Sequence, residues 1–266
     1  MNTDNNNLPL FVYGRNAVAE YILSGRVPTD IFTADKAHLP PKICDTVETA
    51  KNLGATVKKI SAEQLDTLCR KHDPDNPNVR HGGIAALFPA LPFADFDDIR
   101  RSAESRYQSG GLPPLYIICD SINDPRNLGA IIRTAECAGA DAVVIPKHGS
   151  VGLTAETISA SAGAAAYLPV CRVSNLSDTI RKLKASNVWV YAADNAPNAA
   201  RYDKTDYSGA AALVIGSEGN GVSPLVLKNC DVIIKIPQYG RVNSLNASAA
   251  AAVLIFEIAR TRCKDK

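Results

Sequence analysis

Six short apolar runs, each followed by a segment of helical length, occupy the chain from Pro114 onward. The runs are PLYIICD, DAVVIP, YLPVCRV, VWVYAAD, AALVIGS and DVIIKIP. They lack the strict apolar and polar alternation of a strand with one solvated face, which indicates strands buried on both faces. Buried strands that alternate with helices predict an α/β domain built on a parallel sheet over residues 114–266.

The first ninety residues show a shorter alternation of the same kind. Strand-like runs are LFVY, DIFTAD, ATVKKI and GGIAALF, and helical patterns lie near residues 15–24, 41–53 and 62–71. We therefore predict a small α/β domain over residues 1–90. Residues 91–113 are rich in proline, glycine and charge, which favours a linker with one short helix.

Composition narrows the class of protein. Hydrophobic residues make up 46% and charged residues 21% of the chain, as in an ordinary globular protein. The longest apolar segment, ASAAAAVLIFEIA, is too short to span a membrane, and the N-terminus lacks a signal-peptide pattern, so we expect a cytoplasmic protein without a membrane partner. The seven cysteines form no C-x-x-C pair, which predicts no metal site.

Three loops that follow predicted strands carry the polar residues of interest, and ligands of parallel sheets bind at such loops. In SINDPRNLGAIIRTAE, Asn127 stands at an N-cap position, and Arg133 lies one helical turn beyond Gly129. Helical side chains lean toward the N-terminus, so the Arg133 guanidinium can reach the loop. Asn127 as a simple cap and Arg133 as an ordinary exposed arginine remain alternatives.

The second and third loops add glycines and small polar side chains. GSEGNG contains Gly216 and Glu218, and its G-x-x-G-x-G spacing differs from the fingerprint of nicotinamide dehydrogenases. In IPQYGRVNSLNAS, Ser244 and Asn246 precede a helix, where either can cap it or bind the polar end of a ligand. An apolar residue such as Leu245 would pack on a flat base.

Together, the loops resemble the motifs of the SPOUT-superfamily RNA ribose 2'-O-methyltransferases, in the TrmH/RlmB-like branch that modifies a guanosine of large-subunit ribosomal RNA. N-x-G-x-x-x-R is found in NLGAIIR, G-x-E-x-x-G in GSEGNG, and the third motif in IPQYGRVNSLNAS. YGRNAVAEYI and RHGGIAAL resemble the family's small ribosomal-protein-like RNA-binding domain. Gln238 replaces the methionine that is frequent in the family, and Ala247 replaces a valine.

The resemblance implies a fold, a cofactor and partners. The C-terminal domain would contain a deep trefoil knot that binds S-adenosylmethionine, the active site would be completed across a homodimer, and the substrate would be large-subunit rRNA. Cofactor contacts would come from Gly216, Ile236 and Leu245. The residues implied in catalysis are Arg133, Asn127, Glu218, Ser244 and Asn246.

Four other functions stay open at this point. A tRNA ribose 2'-O-methyltransferase of the same family and an antibiotic-resistance rRNA methyltransferase would share the motifs. A catalytically inactive RNA-binding ribosome assembly factor would share the fold. A Rossmann oxidoreductase is disfavoured, because the glycine fingerprint after the first strand is missing.

Overall fold

The computed structural model describes residues 9–35, 38–74, 76, 79–90, 92–242 and 244–262. The strands are β1 (Leu10–Tyr13), β2 (Asp30–Ala34), β3 (Thr56–Ile60), β4 (Ile84–Phe88), β5 (Leu115–Asp120), β6 (Ala142–Pro146), β7 (Val170–Val173), β8 (Trp189–Ala193), β9 (Ala200–Arg201), β10 (Ala211–Gly216) and β11 (Val232–Lys235). The helices are α1 (Arg15–Leu23), α2 (Pro41–Asn52), α3 (Ala62–His72), α4 (Phe96–Gln108), α5 (Pro125–Cys137), α6 (Ala155–Ala160), α7 (Leu176–Ala185), α8 (Pro224–Asn229) and α9 (Ala247–Arg262).

The chain divides into two units. The first contains the chain up to Phe93 together with Leu153–Tyr167, and the second contains Ala94–Gly152 and the chain from Leu168 onward. The first unit has a sheet in the order β1-β4-β2-β3, in which β4 is antiparallel to β1 and β2, and β2 is parallel to β3. The predicted strand and helix positions agree with this unit, although the alternation gave no sign that β4 runs against its neighbours.

Leu153–Tyr167 belongs to the first unit although it lies between β6 and β7 in the chain. Its small residues allow close packing on α1: a Cβ added to Gly163 would lie 2.5 Å from Glu20 Cβ. The Tyr167 hydroxyl donates to Glu20 Oε2 at 2.9 Å, and Ile158 is fully buried in the core of this unit. The predicted domain ranges, 1–90, 91–113 and 114–266, are continuous in sequence and place Leu153–Tyr167 in the C-terminal domain.

The second unit is built on a fully parallel sheet in the order β7-β6-β5-β10-β8-β11-β9. This confirms the predicted α/β class. Every residue of β5 is buried, as expected for a strand covered by helices on both faces. The predicted linker contains α4, whose Phe96 and Ala103 pack into the core of this unit. The two-residue strand β9 was not predicted.

The strand order places a reversal beside β5. The chain proceeds outward from β5 to β6 and β7, then continues on the opposite side with β8, and β10 is inserted between β5 and β8. Parallel sheets bind ligands in the crevice beyond the carboxyl ends of strands at such a reversal. The loops after β5, β8, β10 and β11 meet at this edge. No helix in the described part of the chain is long and apolar enough to cross a membrane.

Candidate active site

A cavity of about 620 Å³ opens at the carboxyl ends of β8, β10 and β11. Six of the predicted site residues line it, from two of the three loops: Gly216, Glu218, Ile236, Ser244, Leu245 and Asn246. Its wall also includes Ile215 and Leu254. Apolar walls with a few polar groups are the usual form of a small-molecule site.

Gly216 allows two loop segments to touch. A Cβ at this position would lie 2.0 Å from the Gly221 carbonyl carbon and 2.2 Å from the Val222 nitrogen. The ribbon beyond it is closed by two hydrogen bonds: Ser217 N–H donates to Gly221 O at 3.1 Å, and Gly221 N–H donates to Ser217 O at 3.0 Å. The backbone of Gly216 thus forms part of the cavity wall because no side chain separates it from Gly221.

A hydrogen-bonded triad joins the three loops. Asn127 Nδ2 donates to Glu218 Oε1 at 3.0 Å, and Asn246 Nδ2 donates to Asn127 Oδ1 at 3.0 Å. Asn246 Nδ2 also donates to Glu218 Oε1. Asn127 is only 7% exposed, so its two bonds are shielded from water. The triad therefore holds the loops after β5, β10 and β11 in one arrangement.

The two asparagines differ from each other in their capping roles. Asn246 does cap α9: its Oδ1 accepts from the backbone N–H groups of Ser248, at 3.0 Å, and Ala249, at 3.2 Å. Asn127 lies inside α5, so the prediction of an N-cap there is wrong. The cap is Asp124, which accepts from Arg126 N–H at 2.8 Å. Pro125 takes the first helical position, which suits its fixed φ.

Asp194 is a cavity residue that sequence reasoning missed. It follows β8 and lines the cavity, and its Oδ2 would lie 3.1 Å from a Cβ added to Gly221. Within the described part of the chain, its carboxylate accepts no hydrogen bond. No motif marks this position, and only the order of the strands shows that β8 ends beside β10. Gln238, which departs from the family pattern, also lines the cavity.

Arg133 lies apart from the cavity lining. Its side chain is exposed on α5 and makes no hydrogen bond or ion pair with any residue that the structure describes. At 100° per residue, it points about 120° away from Asn127 around the helix. The triad and Arg133 are therefore not brought together within a single copy of the chain. Ser244, in contrast, is exposed at the cavity and forms no hydrogen bond among the described residues.

The nearby thiol does not supply a nucleophile. Cys119 lies in β5 and is fully buried, and desolvation raises its pKa to about 12. The thiol therefore stays protonated near neutral pH. Among the described residues, no group of three or more histidine, cysteine or acidic side chains is arranged to hold a metal ion.

Known proteins resemble this chain over nearly its whole length. YacO of Bacillus subtilis, named provisionally as a TrmH family tRNA/rRNA methyltransferase, is 37% identical over 254 residues, which cover 95% of this chain and 96% of YacO. A Staphylococcus epidermidis protein of the same provisional name is 40% identical over 255 residues, or 95% of this chain and 96% of its own. The profile of the SpoU rRNA Methylase family matches residues 114–256.

This chain belongs to the SpoU rRNA methylase family. Solved structures agree in fold. AviRb, a SpoU methyltransferase from Streptomyces viridochromogenes solved with AdoMet, has a TM-score of 0.76 and 21% identity, and the match covers 97% of this chain and 92% of AviRb. An AdoMet-bound rRNA methyltransferase from Sinorhizobium meliloti has a TM-score of 0.74 and 24% identity over 96% of this chain and 88% of its own.

Membership confirms the predicted family, enzyme class and cofactor: the chain is a TrmH-type RNA methyltransferase that depends on S-adenosylmethionine. The cavity suits that cofactor in size and lining. Apolar residues such as Leu245 can pack on the adenine, and the wall next to Gly216 is bare backbone. The carboxylates of Asp194 and Glu218 can accept hydrogen bonds from hydroxyl or amino groups.

Proposed function

We propose that this SpoU methylase transfers a methyl group to the ribose 2'-hydroxyl of a guanosine in large-subunit ribosomal RNA. We choose rRNA over tRNA because the rRNA enzyme of known structure matches a larger share of this chain than the tRNA enzymes do. The rRNA methyltransferase of Sinorhizobium meliloti matches 96% of this chain, whereas a TrmH/SpoU tRNA modifying enzyme of A. aeolicus matches 63%, with a TM-score of 0.52 and 24% identity. A further structure, described by the 2-OH methylation of C/U34 on tRNA, matches 56%.

The ribose as the site of methylation has separate support. A structure described as an RNA 2'-O ribose methyltransferase has a TM-score of 0.74 and 21% identity, and it matches 97% of this chain and 90% of its own. The three loop motifs resemble those of the same enzymes, and the choice of guanosine rests on that resemblance.

The cofactor would be held by the backbone around Gly216 and by the side chains of Ile236 and Leu245, which line the cavity. Asp194 would accept hydrogen bonds from cofactor hydroxyl or amino groups. Bound S-adenosylmethionine supplies an electrophilic methyl group. The residues of this chain bind it, exclude water from the cavity and align the ribose oxygen, because alignment contributes strongly to a bimolecular transfer.

The proposed role of the triad of Asn127, Glu218 and Asn246 is to position the loops of the site. Its hydrogen bonds fix the loops that form the cavity, and beside it lies the Ser244 hydroxyl, which bonds to no residue that the structure describes. Arg133 is assigned to the ribose and its phosphate. With a pKa above about 12, a guanidinium is a hydrogen-bond donor and electrostatic partner, not an effective base in water. It therefore orients the nucleotide and stabilises negative charge on the reacting oxygen. As the oxygen–methyl bond forms, the sulfur–methyl bond breaks and S-adenosylhomocysteine is left, while the hydroxyl proton passes to solvent.

A second copy of the chain would complete the site. Arg133 is exposed and lies outside the cavity lining, and α9, which packs on α5, exposes Val253 by 39% and Phe256 by 51%. A second copy packed on this face would bury these apolar side chains and bring its Arg133 to the cavity.

A shared site is tested with mixed dimers of Arg133→Ala and Asn246→Ala chains. Half of the dimers in an equal mixture contain both chains, and each of these has one intact site out of two, so about a quarter of the activity should be recovered. Recovery of none would contradict a shared site.

The remaining assignments follow the resemblance. A deep trefoil knot in the second unit is supported by the late insertion of β10 between β5 and β8. The first unit would bind RNA through exposed Arg70, Lys71 and Arg80. Arg15 is already engaged there, because its guanidinium donates to Gly82 O at 2.8 Å and His38 O at 3.0 Å. We place the enzyme in the cytoplasm, where ribosomal RNA is matured.

The choice of RNA is tested by competition. Purified full-length enzyme would receive methyl-labelled S-adenosylmethionine with a mixture of unmodified large-subunit rRNA and bulk tRNA, and the RNAs would then be separated. We expect label in the rRNA. Label in tRNA alone would refute the assignment of rRNA as substrate and leave the assignment of methyl transfer unchanged. The tRNA alternative is tested because the provisional names of the relatives include both RNAs.

A further inference from the structure

The carboxyl edge of the seven-stranded sheet carries cations on both sides of the cavity. On one side, the Lys147 ammonium follows β6 and is exposed, and the exposed imidazole of His148 lies next to it in the chain. On the other side, exposed Arg241 lies in the loop after β11. Between them, the carboxylates of Asp194 and Glu218 line the cavity. A polyanion would therefore be attracted to the two flanks more strongly than to the centre.

The first flank is held firmly at the edge. Lys147 N–H donates to Val173 O at 2.8 Å, and Arg172 of β7 donates to Lys147 O at 2.9 Å. Ser150 Oγ donates to Ile122 O at 2.8 Å, which joins this loop to the one after β5. Neither Lys147 nor His148 forms an ion pair within the described residues. The flank thus has a fixed backbone, and the charge of Lys147 is uncompensated among the described residues.

The second flank combines a cation with an exposed aromatic ring. Gln238 lines the cavity, and the next residue, Tyr239, is 85% exposed. Arg201 of β9 donates to both carboxylate oxygens of Asp203, at 3.0 and 2.9 Å. Its charge is therefore balanced, whereas Arg241 has no ion-pair partner among the described residues.

The flanks are separated by a distance suited to a short stretch of RNA. The sheet order places β5, β10 and β8 between β6 and β11. At about 4.8 Å for each step between neighbouring strands, β6 and β11 lie roughly 19 Å apart where the loops that carry the flanks begin. Single-stranded RNA is bound through phosphate contacts and through bases that stack on aromatic side chains. Cations at two ends and a ring at one end meet both requirements.

We propose that the substrate RNA crosses this edge as a single strand, perpendicular to the β-strands. Phosphates on one side of the target ribose contact Lys147 and His148, those on the other side contact Arg241, and a base stacks on Tyr239. We name these four residues the RNA track. The proposal rests on the proposed function for the position of the target ribose over the cavity, and it adds the path of the strand on either side.

The track is tested by the salt dependence of RNA binding. Full-length wild-type, Lys147→Ala and Arg241→Ala enzymes would be titrated against fluorescently labelled unmodified rRNA fragments and tRNA over a range of KCl concentrations. Each variant should bind more weakly, and the negative slope of log affinity against log salt should become shallower by about 0.7 for each lost phosphate contact. Arg181→Ala is the matched control, because Arg181 is an exposed cation on α7 whose side chain pairs with Asp178.

Stacking is tested by a pair of substitutions at one position. Tyr239→Ala should weaken RNA binding between about fivefold and a hundredfold, whereas Tyr239→Phe should retain binding. Sedimentation of each variant would accompany these titrations. An unchanged slope for Lys147→Ala or for Arg241→Ala would overturn the track, and so would a loss of binding that coincides with dissociation of dimers.

Failure of the track and failure of the proposed function give different results. Phosphate contacts carry no sequence information, so the change of slope should be seen with rRNA fragments and with tRNA alike. Methyl label found only in tRNA would refute the rRNA substrate and leave the slopes as predicted. Normal labelling of rRNA with unchanged slopes would refute the track alone.

Discussion

Gly216→Ala is the substitution whose cost can be derived most directly from the structure. The new Cβ would lie 2.0 Å from the Gly221 carbonyl carbon and 2.2 Å from the Gly221 oxygen, and both atoms belong to the backbone. They cannot rotate away as a side chain would, so the ribbon has to open. Overpacking of this kind costs about 1–3 kcal/mol. Loss of the two hydrogen bonds between Ser217 and Gly221 adds about 0.5–1.5 kcal/mol each.

These contributions give a destabilisation of about 2–6 kcal/mol. If the loop moves to relieve the strain, the wall of the cofactor cavity changes shape and cofactor affinity falls. A loss of about 1.4 kcal/mol of binding free energy corresponds to a tenfold higher Kd. We therefore expect a lower Tm together with a Kd for S-adenosylmethionine that rises at least about tenfold. Thermal unfolding and isothermal titration on the same preparation would measure both.

Gly209→Ala is the matched control for this prediction. A Cβ at Gly209 meets nothing within 4 Å, and its φ lies outside the left-handed region. Its effect on unfolding free energy should stay within about 0.5 kcal/mol. If Gly216→Ala retained wild-type Tm and cofactor affinity, the close approach of Gly216 and Gly221 would not be a property of the protein, and the account of the cavity wall would fail.

Three further substitutions separate the roles of the site residues. Arg133→Ala should abolish methyl transfer with cofactor affinity within about twofold of wild type, and turnover at the wild-type rate would remove Arg133 from the chemistry. Asn127→Ala should lower kcat/KM for RNA about 5- to 100-fold, because Glu218 and Asn246 lose a buried partner; unchanged kinetics would contradict a positioning role. Asp194→Asn should raise the Kd for S-adenosylmethionine about tenfold or more while kcat at saturation is retained, and an unchanged Kd in titration would exclude Asp194 from cofactor binding.

The sheet and the polar loops were predictable because their signals are local. Strands such as β5 are apolar throughout, and Gly216, Glu218 and Asn246 stand in short motifs directly after strands. Parallel strands end at the same edge, so the meeting of these loops followed from the fold class. Asn127 was singled out for the same reason, although the cap predicted there is provided by Asp124.

The features that the sequence did not reveal depend on contacts between distant segments. Asp194 becomes a cavity residue only because β8 lies beside β10, an order that no periodicity encodes. Leu153–Tyr167 joins the first unit through small residues that fit against α1. Alanine and glycine also occur in helices and turns that make no such contact, so their presence did not predict it. Arg133 points about 120° away from Asn127 around α5, whereas the prediction compared its direction only with that of Gly129.

The position of the transferred methyl group shows directly whether the enzyme methylates the ribose or the base. Unmodified large-subunit rRNA would be treated with enzyme and methyl-labelled S-adenosylmethionine, and its nucleosides would be separated and identified by mass spectrometry, with alkaline hydrolysis to locate the blocked linkage. We expect label in 2'-O-methylguanosine from one alkali-resistant linkage. Label on a base, or label in RNA that remains fully sensitive to alkali, would contradict ribose methylation by this site.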